Sequence, residues 1–310
     1  MLTTFCNNVN VGSVRVYPPK RYILLCGGEV SHINDARPLS LRDAYLRGGA
    51  IDALKNSEPL QIEEIEDFFD KGAPYVDLVK FELDIAQICE LVLLFSESPG
   101  SFAELGSFSM LSGISEKLLL VVQSKYLNKS TFITKGPVAN LRRDYPKSVF
   151  SFADSTVGMA SGQIDSVDPN LLVRTLSSPV EQRLQETENR TTLDVTKFNH
   201  LCKVYVGLLR EAYCLKDDEL LLLLSEFGFE VDNELLDRVS FCCSAIRWAA
   251  SATSGFDRVH FAKLNLNEAA KFEFKEPLLD KTRRRSDFRA YWEENDPDRV
   301  AAVDQERQRP

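Results

Sequence analysis

Long apolar runs are missing from this 310-residue chain. Its strongest, Leu91–Phe95 and Leu220–Leu224, fall far short of the roughly 20 residues a helix needs to cross a bilayer. Positive charge is in deficit as well. There are 37 Lys and Arg against 46 Asp and Glu, a formal charge of -9, which excludes a generally basic nucleic-acid coat and leaves room only for local basic patches. Histidine occurs three times (His32, His200, His260), and the seven cysteines (Cys6, Cys26, Cys89, Cys202, Cys214, Cys242, Cys243) contain no Cys-x-x-Cys pair. No zinc site of clustered thiolates and imidazoles can be assembled from such spacing. The stretch Met1–Val14 lacks both the basic and the apolar segment of a secretory signal. The expectation is a cytoplasmic protein, without a membrane span or a metal, whose thiols are reduced and buried.

What is present is ordinary globular composition, 44% hydrophobic and 27% charged, in a length that calls for two domains. The first half reads as α/β. Arg21–Cys26 (RYILLC) is a buried strand ending at Gly27-Gly28, and Pro59–Phe69 supplies a further strand and turn. Lys71–Glu90 spaces Val76, Val79, Leu83, Ile85 and Ile88 as one helical stripe. It leads into Leu91–Phe95, apolar on both faces as strands inside a parallel sheet are. A helix over Ser101–Ser112 and a strand over Lys117–Val122 complete a doubly wound parallel pattern, whose ligand site belongs beyond the C-terminal strand ends.

Between 153 and 193 the periodicity fades into Ser, Gly, Asp and Thr with two prolines, Pro169 and Pro179, which predicts a linker or an irregular subdomain edge. From Asp194 the chain turns helical, with a stripe of Phe198, Leu201, Val204, Leu208 and Leu209. Helices over Asp217–Phe227 and Asn233–Ala250, then a strand pair in Arg258–Leu266, predict a mainly helical, winged-helix-like domain over 194–310. Residues 1–152 form the expected catalytic domain.

The densest group of special residues is Ser96–Phe108, SESPGSFAELGSF, directly after the buried strand Leu91–Phe95. Pro99-Gly100 reads as a turn, Ser101 as the cap of the next helix, and Glu104 as a first-turn residue aimed back at the strand ends. Glu97 and Ser98 lie on the loop itself. Opposite them stands the second glycine turn, Cys26-Gly27-Gly28. Two carboxylates in one crevice permit one to stabilise or attack an electron-deficient carbon while the other positions a hydroxyl or water. Side-chain chemistry stops there, at a phosphate or nucleoside site with one or two carboxylates. A first-turn Glu and a Pro-Gly turn also occur for purely structural reasons.

Three blocks, Ile23–Glu29 (ILLCGGE), Leu93–Phe108 (LLFSESPGSFAELGSF) and the stretch STFITKGPVANLRR ending at Arg143, carry a family likeness over roughly residues 20–145. Together they resemble the nucleoside 2-deoxyribosyltransferase-like superfamily, and more narrowly its members that act as effectors beside bacterial retron reverse transcriptases. The resemblance implies N-glycosidic bond cleavage with Glu104 in the place of the catalytic Glu and Glu97 as the acid before the Pro-Gly pair. Glu82, in FELDIAQICELV, takes the place of a ribose-binding acid, and Cys26, Gly27, Gly28, Ser98, Pro99, Gly100 and Ser101 line the pocket. It further implies NAD as substrate rather than cofactor, growth arrest during phage infection, and restraint by the reverse transcriptase and its multicopy single-stranded DNA–RNA hybrid (msDNA). A homo-oligomer or filament within that complex is expected. The alternatives are a nucleoside or nucleotide N-glycosidase or deoxyribosyltransferase, and a non-catalytic nucleotide-sensing winged-helix DNA-binding regulator.

The basic runs Lys281–Arg289, beside Phe288, Tyr291 and Trp292, and Lys135–Arg143 are the candidate contacts to those partners, although a basic aromatic tail also suits folding back on its own domain. The charge is unevenly shared. Residues 1–150 hold 16 cationic against 18 acidic residues, and residues 151–310 hold 21 against 28. That acidic second half argues against autonomous DNA binding by the winged helix.

Overall fold

The protein is described by a computed structural model covering residues 1–32, 35–49, 54, 57–65, 73–187, 191–275 and 280–309. Residues 66–69 of the expected Pro59–Phe69 element and 71–72 of the expected Lys71–Glu90 helix lie outside the described residues. Two compact units emerge, and neither is continuous in sequence. One joins Arg21–Glu64 to Ile85–Arg190; the other joins Met1–Lys20, Ile65–Asp84 and Thr191–Pro310.

The first unit is built on five parallel strands: β1 (Arg21–Cys26), β2 (Ser57–Leu60), β3 (Leu91–Phe95), β4 (Leu118–Gln123) and β5 (Val149–Phe152), in the order β2-β1-β3-β4-β5. Register is set by pairs such as Cys26↔Leu94 and Phe95↔Val121. Its principal helices are α1 (Leu41–Arg47), α2 (Pro99–Phe108), α3 (Pro137–Asp144) and α4 (Pro169–Thr187). The central strands are apolar at every position because both faces are covered. Ile23, Leu25, Leu93 and Phe95 share a core with Tyr45 of α1 and Leu176 of α4, while Leu24, Val92, Leu94 and Leu120 on the opposite face are equally shut off from solvent. Each such side chain contributes about 1.5–3 kcal/mol on burial, which is what holds the sheet between its helices.

The expected linker is corrected here. Residues 153–187 belong to the α/β unit, and α4 is its longest helix. Pro169 stands at the first helical position, where a missing N–H costs nothing, and Pro179 lies inside the helix. Leu172, Leu176 and Val180, four residues apart, bury one stripe against the sheet, and that packing outweighs the proline interruption.

The second unit runs α5 (Phe198–Ala212), β6 (Leu215–Lys216), α6 (Asp217–Glu226), α7 (Asn233–Ala245), β7 (Ala249–Ser254), β8 (Asp257–Ala262), α8 (Lys281–Asn295) and α9 (Pro297–Arg307). Its antiparallel sheet is ordered β6-β8-β7. The expected helix to Ala250 stops at Ala245, with Arg247 in the left-handed region at φ 59°, and the small residues Ala249–Ser254 form a strand. The strand pair read into 258–266 is therefore a hairpin of β7 and β8 around Gly255 at φ 62°. A separate pairing, Arg15↔Lys271 and Val16↔Ala270, brings the start of the chain into this unit. None of the seven cysteines is in a disulfide among the described residues, and six of them are buried.

The basic run Lys281–Arg289 lies on α8 and folds back on its own unit. Arg284 and Arg285 both bind the buried Glu211 carboxylate, at 3.0 and 2.8 Å. Arg289 pairs with Glu293 and Asp304. Phe288 and Trp292 are core residues, the indole donating to the Ala212 carbonyl at 2.8 Å. The guanidinium of Arg299, on α9, stacks over that indole at 3.9 Å and pairs with Glu219. These arginines are engaged within the fold, as expected of a basic aromatic tail that folds back on its own domain.

Candidate active site

Strand order fixes where a ligand can bind. In the order β2-β1-β3-β4-β5 the chain reverses direction of travel between β1 and β3, and the crevice outside their carboxyl ends is the topological switch point. Cys26 ends β1 and Phe95 ends β3, so the Cys26-Gly27-Gly28 turn and the Ser96–Ser101 segment flank that crevice.

The two loops are tied by Glu97. Its Oε1 accepts the Gly28 amide at 3.0 Å and the Arg42 amide at 3.1 Å, and its Oε2 accepts the Leu41 amide at 2.6 Å. A single carboxylate thus satisfies two orphan N–H groups of α1 and one of the glycine turn. Burial pushes the Glu97 carboxyl up, while those three amides and the Arg42 guanidinium pull it down; the net direction is upward. Ser98 adds a second tie, donating to the Gly27 carbonyl at 3.2 Å.

The close approach explains both glycines. A Cβ on Gly27 would lie 2.9 Å from Arg42 Cβ and 3.0 Å from Glu97 Oε1, and one on Gly28 would lie 2.7 Å from Ser40 Cβ. Gly100 differs: its nearest neighbour would be Ser98 Oγ at 3.9 Å.

Helix α2 starts two residues earlier than the sequence suggests. Ser98, at φ −129° and ψ 160°, is its cap and accepts the Ser101 amide at 3.1 Å, while Ser101 Oγ accepts the Ser98 amide at 2.9 Å. Pro99 and Gly100 are the first helical residues rather than a free turn, because proline's fixed φ suits the first position. Ser101 is accordingly the third helical residue and not the cap. Glu104 stands one turn further along than expected, in the second turn, half-buried and with Oε2 shielded from solvent.

Arg42, which the sequence reading passed over, is the buried partner of this arrangement. Its Nε donates to the Gly28 carbonyl at 2.8 Å, and Nη1 and Nη2 meet Glu63 at 3.2 and 2.7 Å. Burial opposes ionisation of Glu63, yet the Arg42 hydrogen bonds, a backbone hydrogen bond and the Arg42 charge together outweigh it and hold its carboxyl below the usual range. Asp43 holds the neighbouring loop, accepting from Ser31 at 2.6 Å and from the Leu39 amide at 2.8 Å. A signal for these was available: Ser40-Leu41-Arg42-Asp43 is Ser-x-x-acid before an apolar stripe, and Ser40 does cap α1 by accepting the Asp43 amide at 2.9 Å.

Nine of the ten proposed site residues (Cys26, Gly27, Gly28, Glu97, Ser98, Pro99, Gly100, Ser101 and Glu104) therefore belong to segments at the carboxyl ends of the neighbouring strands β1 and β3. The tenth, Glu82, is half-buried on the helix Leu78–Ile88, in the segment Ile65–Asp84 that belongs to the other unit.

Comparison with known proteins agrees with an α/β effector. The model of the family described as STM3845 retron effector protein matches residues 38–251. The Escherichia coli protein named "Retron Ec86 putative ribosyltransferase/DNA-binding protein" is 30% identical over 178 residues, 56% of this chain and 54% of that protein. A second Escherichia coli protein, "Retron Ec73 putative ribosyltransferase/DNA-binding protein", is 27% identical over 131 residues, 42% of this chain and 40% of its own length. The chain spans about half the length of the curated relatives it matches.

Proposed function

This chain belongs to the STM3845 retron effector family, and from that premise we propose that it cleaves an N-glycosidic bond, hydrolysing NAD+ to nicotinamide and ADP-ribose. The observation that carries the reading is the placement of Glu104 and the two tied loops at the switch point of a β2-β1-β3-β4-β5 sheet, where α/β folds bind nucleotides. Glu104 supplies the carboxylate. As the bond from ribose C1′ to the pyridinium nitrogen lengthens, positive charge builds on the sugar, and the carboxylate stabilises or captures it. Nicotinamide departs neutral, taking the bonding pair, so no strong general acid is required. Water adds to C1′ and releases a proton.

Glu97 takes a different role from the one its loop position suggests. With both oxygens on amides it is a positioning residue that fixes the glycine turn against α1. Transfer of ribose rather than hydrolysis is the related activity named for the relatives, and the two differ only in the acceptor at C1′.

The second unit serves in this reading as a winged-helix docking module. Its order of helix, strand, two helices and hairpin, with the sheet arranged β6-β8-β7, supports that assignment. Helix α7 exposes Asn233 and Glu234 at its start, just after the exposed cap Asp232, and its Arg238 is engaged with Asp84 at 2.6 Å. That surface suits a protein partner better than the phosphates of a duplex. Restraint by the retron reverse transcriptase and msDNA, lifted on phage infection, completes the proposal.

Incubating the purified chain and Glu104→Gln with NAD+, deoxynucleosides and nucleoside monophosphates tests the chemistry. Free nicotinamide from the wild type and at least a hundredfold loss in the variant is the expected result. Release of another base would move the substrate to nucleosides or nucleotides. Undiminished cleavage by Glu104→Gln would refute the assignment of the carboxylate.

A further inference from the structure

Between β4 and β5 the acidic character of the chain reverses. Residues 124–147 hold six cations, Lys125, Lys129, Lys135, Arg142, Arg143 and Lys147, against one acid, Asp144. Three cations are matched locally: Lys125 by Asp154 at 3.0 Å, Arg143 by Asp144 at 2.7 Å and Lys147 by Glu186 at 3.1 Å. Lys129, Lys135 and Arg142 are exposed, and among the described residues no carboxylate forms an ion pair with them.

The same segment exposes two aromatic rings. Tyr126 is 45% and Phe132 84% accessible, so Phe132 stands almost fully in solvent and Tyr126 keeps nearly half of its surface there. Lys125 and Lys129 lie over the Tyr126 ring at 5.3 and 5.5 Å. Phe132 opens a helical turn, Phe132–Lys135, held by the reciprocal bonds of Thr131 and Thr134. Thr134 Oγ1 also donates to the Lys129 carbonyl at 2.7 Å, so the lysine loop and the ring-bearing turn form one piece, and α3 with Arg142 follows directly after Gly136.

We propose that this surface binds single-stranded nucleic acid, with Lys129, Lys135 and Arg142 on phosphates and Tyr126 and Phe132 stacking on bases. Exposed rings interleaved with unmatched cations are the combination that single strands require, since unstacked bases offer π-faces that a duplex hides. Rings beside cations also mark protein interfaces, so binding of a protein and not of single strands is the outcome that would overturn this assignment. The surface belongs to the α/β unit and stands independently of the glycosidase reading, and it relocates nucleic-acid contact from α8, whose arginines are engaged internally.

Fluorescence anisotropy with a labelled homopyrimidine strand, as DNA and as RNA, and with the matching duplex is the test. The full chain should bind single strands at least tenfold more tightly than duplex. Lys129→Glu/Lys135→Glu/Arg142→Glu should weaken binding at least tenfold and flatten the log–log salt slope by about 2, as expected for three phosphate contacts on a single strand. Tyr126→Ala/Phe132→Ala should weaken it about fivefold or more with the slope unchanged. The Gln versions of the three cations, which remove charge without reversing it, guard against misfolding and should give the same slope change. Glu104→Gln should bind as the wild type does, which separates this surface from the cleavage site. Equal affinity for duplex, binding untouched by the charge variants, or capture of acidic proteins only would overturn the proposal.

Discussion

Glu97 and Leu41, 56 positions apart, meet through a 2.6 Å hydrogen bond from the Leu41 amide to the Glu97 carboxylate. With Arg42 and Gly28 held by the other oxygen, the start of α1, the glycine turn and the loop before α2 become one rigid edge to the crevice. Rigidity here comes from a charge-assisted acceptor serving several donors at once.

Glu97→Ala should therefore cost about 2–4 kcal/mol of stability, since three amides lose their acceptor together and water replaces it incompletely. Glu97→Gln keeps one acceptor oxygen and should fall between the variant and the wild type. Urea midpoints give the energies, and amide exchange at Gly28, Leu41 and Arg42 gives the location. Unchanged exchange at those three amides in Glu97→Ala would show that the carboxylate is not what holds them.

The three glycines of the loops should respond differently to alanine. In Gly28→Ala the new methyl meets Ser40 Cβ at 2.7 Å and a backbone shift must follow, a loss of about 1–3 kcal/mol. Gly27→Ala presses on Arg42 Cβ and should behave alike. Gly100→Ala has open space within a helical first turn, so its melting temperature should equal or exceed that of the wild type. A Gly100→Ala variant that folds normally yet loses cleavage would place substrate against that Cα.

Legibility in the sequence followed burial. Arg21–Cys26, Leu91–Phe95 and Leu118–Gln123 stand out because both faces are covered, which leaves unbroken apolar runs. The edge strands Ser57–Leu60 and Val149–Phe152 are only four residues each and partly exposed, so the first blurred into a longer element and the second left no signal. α4 was hidden by Pro179 and its Ser-rich middle, although Leu172, Leu176 and Val180 carry a helical spacing. In the site, the glycine turns and both carboxylates were visible as motifs. The start of α2 was not, because Ser98 and Ser101 are both fit to cap and only the Ser98 backbone geometry decides between them. The pairing of Arg15–Val16 with Ala270–Lys271 spans most of the chain, and no local pattern encodes it.

The network at the end of α5 yields a stability prediction with an internal contrast. Glu211 is 2% exposed and holds both Arg284 and Arg285. Glu211→Gln removes the carboxylate that Arg284 and Arg285 share in a largely buried setting, leaving Arg285 its second partner Glu268, and should destabilise the second unit by about 3 kcal/mol. Arg283→Ala removes only an exposed pair with Asp287 and should change stability by less than about 0.5 kcal/mol. Both tryptophans, Trp248 and Trp292, lie in this unit, so their fluorescence follows its unfolding. Equal urea midpoints for the two variants would count against a supporting role for Glu211.

Acid should weaken the same unit through His260. The ring is fully buried: Nδ1 lies 2.9 Å from the Tyr205 hydroxyl and 3.1 Å from Ser240 Oγ, and Nε2 lies 2.5 Å from Asp217 Oδ1. Arg258 and Asp237 complete its charged surroundings. Burial, which outweighs the pull of Asp217, holds the imidazole below its ordinary value of 6.5. Burial also disfavours ionised Asp217, but the bonds from His260 and Arg258 prevail and leave that carboxyl low. A base whose folded value is depressed takes up its proton more readily when unfolded, so its contribution is present above the unfolded value and fades as pH falls from about 6.5. Asp217, depressed below 3.8, adds a second loss at still lower pH. Tryptophan-detected urea midpoints should accordingly fall between pH 7 and pH 5 in the wild type. In His260→Gln, which is uncharged throughout, that fall should be smaller while the baseline stability is reduced. Identical pH dependence in the two proteins would assign the acid sensitivity to other groups.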